Sequence, residues 1–193
     1  MPWEKQFDEN DVLEKAMQAF WDKGYAATSM QDLVKCTGIN RGSLYATYSD
    51  KHTLFVASLR MYEQKMLHQL LFKLRSNFGP RDSIRQFFLA FIEDVTEGGG
   101  NRGCFMTNTA LELAPHDADV REIVASAQSQ IEDFFAEMIN KGIAQSEIAP
   151  RGPAIETARG LLASLIGLVV LTRSRPEREL LHTIVEEALR RLT

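Results

Sequence analysis

The stretch Thr28-Ser29-Met30-Gln31-Asp32-Leu33-Val34-Lys35-Cys36-Thr37-Gly38-Ile39-Asn40-Arg41-Gly42-Ser43-Leu44-Tyr45 decides how this chain folds. Thr28 and Ser29 offer N-caps for a short helix reaching about Lys35, and Thr37-Gly38 breaks it. Asn40 can cap a second short helix through about Thr47. Gly38 suits a backbone position with positive φ, Ile39 plugs the inner face, and Leu33, Val34 and Leu44 meet in a miniature core. Two short helices around a tight glycine turn make a helix-turn-helix. The outer face of its second helix then holds Asn40, Arg41, Ser43 and Thr47, small or hydrogen-bonding side chains of the kind that read base edges and phosphates in a major groove.

Outward from that motif the periodicity is helical throughout, with no sustained strand alternation. Upstream, Val12, Ala16, Ala19 and Phe20 recur at helical spacing and predict a helix from about Asp8 to Lys23, closed by Gly24. Downstream, Ser49-Asp50 is a turn and cap before a long fourth helix. Phe55, Leu59, Tyr62, Met66, Leu70 and Leu74 are expected on one face of it, and Gly79-Pro80 ends it. Further helices are expected over about Pro80–Thr96, Cys104–Leu113 and Ala118–Gly142, then one ending near Ser174 and one from Pro176 to the C-terminus. Gly98-Gly99-Gly100-Asn101 reads as a loop. The expected fold is all-α: a three-helix helix-turn-helix head joined to a C-terminal helical bundle, about nine helices in all. Residues 1–52 form the expected DNA-binding domain and residues 53–193 the ligand-binding and dimerisation domain.

Composition narrows the function. The 193 residues carry a net charge of −4, and residues 1–52 hold six Lys/Arg against eight Asp/Glu, so the head is not a basic domain. Placed contacts matter more than the sum, because phosphate contacts are local. An adaptor that binds protein instead of DNA is the alternative, and a negative face over Asn40–Tyr45 would favour it. Two cysteines without paired spacing suggest neither disulfides nor zinc, and a reducing compartment fits. No secretory signal is read at the N-terminus. The longest apolar run, Gly160–Leu171, is shorter than the ~20 residues that span a bilayer. A buried interface helix in a cytoplasmic protein, with no membrane partner, is the expectation. His52, His68, His116 and His182 are scattered without an HExxH motif, and no Gly-rich loop follows a strand. No enzymatic activity, metal or cofactor is therefore expected.

The run Ala19-Phe20, Gly24-Tyr25, Thr28-Ser29-Met30, Leu33-Val34, Thr37-Gly38-Ile39, Gly42-Ser43-Leu44-Tyr45, Tyr48-Ser49-Asp50-Lys51 and Leu54 resembles the TetR family head over about residues 10–55. Gly103-Cys104-Phe105 with Asn108, Glu112, Leu113 and Ala114 looks like the sixth-helix region of one TetR subgroup. The resemblance implies a transcriptional regulator, with roles by position. Thr28 would cap the second helix and meet phosphate. Asn40, Arg41, Gly42 and Ser43 would face bases or nearby backbone, with Thr47 and Tyr48 beside them. Tyr45 and Lys51 would bind phosphate. The N-terminal segment Trp3-Glu4-Lys5-Gln6-Phe7-Asp8 departs from the basic arm of many members, and Thr47 from the usual aromatic or His.

The body concentrates aromatic and Met side chains, which often line small-molecule cavities between bundle helices. Candidate ligand residues are Met66, Leu70, Phe87, Phe88, Phe91, Cys104, Phe105, Asn108, Phe134, Phe135 and Met138, with Thr107, His116 or Gln128 as further polar contacts. Cys104, at the start of a helix, is either a reactive sensor thiol or a buried small hydrophobe. Small and large residues on the last two helices suggest a four-helix homodimer interface through Gly160, Ala163, Ser164, Gly167, Leu168, Leu171, Leu181, Ile184 and Val185. Two heads would read a palindromic double-stranded operator with half-sites ~34–36 Å apart, or a multiple of that. By resemblance, a small-molecule effector in the body moves the fourth helix and releases the DNA.

Overall fold

Short helices gain little from propagation, so the first three lean on their end caps. The computed structural model describes residues 7–96 and 102–193, the side chains of 94–96 excepted. Helix α1 (Glu9–Lys23) starts at Asp8, whose carboxylate accepts from Asn10 N at 2.8 Å. Helix α2 (Met30–Thr37) opens with a capping box. Ser29 Oγ accepts from Asp32 N at 3.1 Å, and the Asp32 carboxylate accepts from Ser29 N at 2.9 Å. Gly38 ends α2 in the left-handed region, at φ 75°. Helix α3 (Arg41–Tyr48) is capped by Asn40, whose Oδ1 accepts from Ser43 N at 2.9 Å. Leu33 and Leu44 are buried with Val12, Ala16 and Phe20 of α1, and Val34 and Ile39 pack against them.

Asp50 caps helix α4 (Lys51–Tyr62). The backbone stays helical through a π-helical turn, Glu63–His68, and continues as α5 (Gln69–Asn77). The π turn corrects the expected face of this rod. A pure 3.6-residue period carries Tyr62 to Met66 and Leu70. The wider turn inserts one residue, so the buried series runs Tyr62, Leu67, Leu71, Leu74. Met66 is left 44% exposed and Leu70 half-buried.

The body adds α6 (Pro80–Thr96), α7 (Phe105–Glu112), α8 (Ala118–Ala144), α9 (Ala154–Ser174) and α10 (Arg178–Leu189), closed by a 3-10 turn, Arg190–Leu192. Counting α4, the π turn and α5 as one rod, the described residues form nine helices and no strand. Helix α8 packs along both α6 and α9, and α10 closes over α6 and α9. Between α6 and α8 the rings of Phe87, Phe88, Phe134 and Phe135 lie 5.3–5.9 Å apart, all fully buried. Each buried Phe is worth about 1.5–3 kcal/mol over exposure.

Beyond the packing of α1 on α4, polar ties join head and body. The Glu112 carboxylate accepts from Tyr25 N at 3.0 Å and Ala26 N at 2.8 Å. Trp21 Nε1 donates to Gly103 O at 3.0 Å, and His52 Nε2 lies 2.7 Å from Asp117 Oδ2. Gly24, at φ +83°, sits so close to Glu112 that a Cβ there would lie 2.7 Å from the carboxylate. The expected Gly98–Asn101 loop lies outside the described residues, as does most of the Trp3–Asp8 segment.

Candidate nucleic-acid interface and effector cavity

On α3, Arg41, Gly42, Tyr45 and Ala46 are exposed on one side, while Leu44 is buried on the other. Ala46 was missing from the candidates, although it stands four residues from Gly42 on the same face. The Arg41 guanidinium lies 5.4 Å from the Tyr45 ring centroid, and its Nη2 donates to Tyr45 Oη at 3.3 Å. The two side chains thus present one cationic, hydrogen-bonding unit. Asn40 and Ser43 cap α3 as a pair, so the Asn40 oxygen is engaged within the chain. Thr47 is half-buried, and Tyr48 donates its hydroxyl to Glu9 O at 3.3 Å. Burial and Glu9 push the Tyr48 phenol pKa up. The Lys51 ammonium sits 4.3 Å from the Tyr25 ring centroid, and desolvation pulls its pKa down.

Thr28 is placed differently from its expected role. It is completely buried, and its hydroxyl donates to Gly24 O at 2.6 Å, so it ties down the end of α1. Ser29, one residue on, is the α2 cap. The buried hydroxyl is not placed to meet a phosphate.

The acidic balance of the head does not reach its outer face. Between Leu33 and Ser49 the chain contains no Asp or Glu, and its charges are Lys35 and Arg41. The head acids are used elsewhere. Asp11, Glu14, Asp22 and Asp32 pair with Lys15, Lys65, Arg102 and Lys23, and Asp8 and Asp50 cap helices. Lys23, then Ser29, hold the Asp32 carboxyl well below the usual carboxylate range. The stretch between Leu33 and Ser49 therefore supplies no acidic side chain to the negative face over Asn40–Tyr45 that an adaptor would need.

A cavity of about 280 Å³ opens in the body. Its walls take Met66, Leu70, Phe87, Phe91 and Cys104 from the candidate set. Thr107 and Gln128 also line it, as do Trp21 of α1 and Tyr62 of α4. Leu162, Leu165, Ile166 and Val169 of α9 close one side. These α9 residues and Trp21 escaped the sequence reading, because α9 read as an interface helix and Trp21 belonged to the head. Cys104 is half-buried and accepts from Tyr62 Oη at 3.5 Å. The remaining candidates sit elsewhere. Phe88, Phe134, Phe135 and Met138 are consumed by the α6–α8 core. Phe105 and Asn108 line a second hollow at the head–body seam, and Asn108 Nδ2 donates to Arg102 O at 2.8 Å. His116 is exposed and lies off the cavity.

Helix α9 is long and apolar enough to cross a membrane by length and composition, with a mean hydropathy of 1.8 in a window that is 28% buried. Ala163, Gly167 and Val170 are exposed along it, with Gly160, Ser164 and Leu171 half-buried on the same side and Ile184 half-buried on α10. Leu168, Leu181 and Val185 are correspondingly removed from the expected interface. They are buried inside the protomer at 0–1% exposure.

Residues 12–58 match the family model for bacterial regulatory proteins of the tetR family, and residues 80–188 match the tetracyclin repressor-like C-terminal domain. The chain belongs to the TetR family. It is a DNA-binding transcriptional regulator, in a family of regulators rather than enzymes. The HTH-type transcriptional repressor ComR of Escherichia coli (strain K12) is 30% identical over 96% of this chain and 89% of its own length. The regulator YezE of Bacillus subtilis (strain 168) is 28% identical over 96% of both chains. Among solved structures, a cysteine mutant of the TetR-family regulator CifR, complexed with a 26-bp double-strand operator, aligns with a TM-score of 0.85. It is 27% identical and covers 98% of this chain and 99% of that one.

Proposed function

We propose that this regulator is a homodimeric, cytoplasmic repressor that a small, largely apolar molecule releases from a palindromic operator. Its head, residues 1–52, would bind DNA through the Arg41–Tyr45 unit, Gly42, Ser43 and Asn40. Thr47, Tyr48 and Lys51 would lie at the rim. Its body, residues 53–193, would hold the effector and the partner subunit. The observation that carries the effector half is the cavity wall. Trp21 lies on a head helix, and Tyr62 lies on the rod that leaves the head, so the cavity wall includes a side chain of the head and one of the rod that carries it. A ligand that favours a displaced Trp21 or Tyr62 would shift the heads by population shift and weaken DNA binding through linkage. The dimer half rests on the uncovered apolar side of α9, with Ala163 and Gly167 allowing close approach. The repressor half rests on ComR, named a repressor at 30% identity.

Selection of bound sequences from a random DNA pool by the full chain tests this. A palindromic consensus, bound by two chains per site, is the expected outcome. A single half-site bound by one chain contradicts it. On the recovered operator, Lys51→Ala should weaken binding and lower the salt slope by about one. An unchanged slope removes the phosphate role from Lys51.

A further inference from the structure

Resting on the cavity as the effector site, we propose that the effector is an uncharged molecule with an apolar body and one hydrogen-bonding group met by Thr107 and Gln128. Three observations lead there.

The first is charge. No Asp, Glu, Lys, Arg or His lines the cavity among the described residues. An ionised ligand would leave water without a counter-ion, which is strongly penalised. A carboxylate or an ammonium is therefore disfavoured, whatever the shape of its apolar part.

The second is which polar groups remain free. Trp21 Nε1 is committed to Gly103 O, and Tyr62 Oη donates to Cys104 Sγ. The Thr107 hydroxyl and the Gln128 amide take no hydrogen bond among the described residues. Thr107 is nonetheless only 9% exposed. A helical threonine commonly returns its hydroxyl to the carbonyl four residues back. For Thr107 that carbonyl is Gly103 O, the acceptor of the Trp21 indole. No buried side-chain nitrogen or oxygen among the described residues lacks a partner, so the unbonded Thr107 hydroxyl is one that the cavity reaches and a ligand can pair with. A neutral hydroxyl, carbonyl or amide on the ligand is the complement, since a hydroxyl and a carboxamide both donate and accept.

The third is size. At about 280 Å³, with roughly 20–30 Å³ per non-hydrogen atom, the cavity holds a ligand of about ten to fourteen such atoms. That is the scale of a bicyclic aromatic or a medium aliphatic chain.

A matched series on one skeleton tests the inference: β-naphthol, naphthalene, β-naphthoate and β-naphthylmethylammonium. Each is titrated by calorimetry against the full chain and against Thr107→Val and Gln128→Leu. Displacement from the operator is read in parallel. β-Naphthol should bind about three- to tenfold tighter than naphthalene, and the two charged probes about tenfold or more weaker than β-naphthol. In the two variants the β-naphthol advantage should shrink, while naphthalene binds as before, which also shows that the variants are folded. Tightest binding by either charged probe overturns the proposal. So does a β-naphthol advantage that survives both substitutions, or binding by none of the four. Binding in the expected order without operator release supports the ligand chemistry and instead overturns the cavity as an effector site.

Discussion

The head and the body solve stability by different means. Helices α2 and α3 have eight residues each, and their fully buried apolar side chains are Leu33 and Leu44. Ser29, Asp32, Asn40 and Ser43 make up the difference with hydrogen bonds at the helix ends. Helices α8 and α9 run 27 and 21 residues, and α8 is held against α6 by a packed aromatic core. The head is thus a small unit fixed by placed polar groups, suited to presenting side chains in one orientation. The body is held mainly by apolar packing, and it carries a cavity and a π turn.

The sharpest break of that contrast is to remove one buried side chain from each region. Phe135→Ala in the body should cost about 3–5 kcal/mol and Leu44→Ala in the head about 2–5 kcal/mol. The body change should lower the melting temperature of the whole protein. The head change should abolish operator binding while most helical circular dichroism survives. Loss of all helicity in Leu44→Ala would mean that the head is not separable from the body.

A smaller effect probes the seam. Glu112→Ala removes the carboxylate that receives Tyr25 N and Ala26 N. Water can replace part of it, so the loss should be about 1 kcal/mol, or about 2–4 °C in melting temperature. Its signature should be a change in operator affinity with effector binding unchanged, because Glu112 is not on the cavity wall. Unchanged operator affinity would make this contact structural only.

The smallest effect concerns the caps. Ser29→Ala should cost about 1 kcal/mol. The carboxyl pKa values of Asp32, Asp50 and Asp117 are all lowered in the folded chain, chiefly by Lys23 for Asp32 and by backbone N–H groups for the other two. Depressed carboxyls stabilise above their unfolded values of about 3.9, and that stability is lost as pH falls through the folded values. Thermal unfolding followed against pH should be flat near neutrality and fall below about pH 4. Ser29→Ala should show a shallower acid fall, since Ser29 is one of the groups holding the Asp32 pKa down. An equally steep fall would assign that depression to Lys23 alone.

The head was legible in the sequence because its signals are local. Gly38 must leave α2 left-handed, Asn40 must cap, and Leu33 and Leu44 must face inward at fixed spacing. Thr28 and Ser29 are both good caps by type, and only the path of α1 shows which one is buried. The cavity was half legible for a different reason. Phe87 and Phe88 are adjacent and chemically identical, yet one lines the cavity and its neighbour stacks on Phe135. Composition cannot separate them, because helix rotation decides. The π turn at Glu63–His68 shifts the phase of the rod by one residue, with no Pro or Gly to announce it. Trp21 joined the wall through tertiary contact with Gly103, at a separation of 82 residues.

The central claim is that filling the cavity moves the heads of a dimer. Cys36 is an exposed thiol on α2 of the head, and Cys104 is the other free cysteine. A spin label on Cys36, with Cys104→Ser, reports the distance between the two heads by pulsed electron paramagnetic resonance. One narrow distance on operator DNA, replaced by a shifted or broader one when β-naphthol releases the DNA, is the predicted result. No inter-head distance, or the same distribution with and without the ligand, would contradict it.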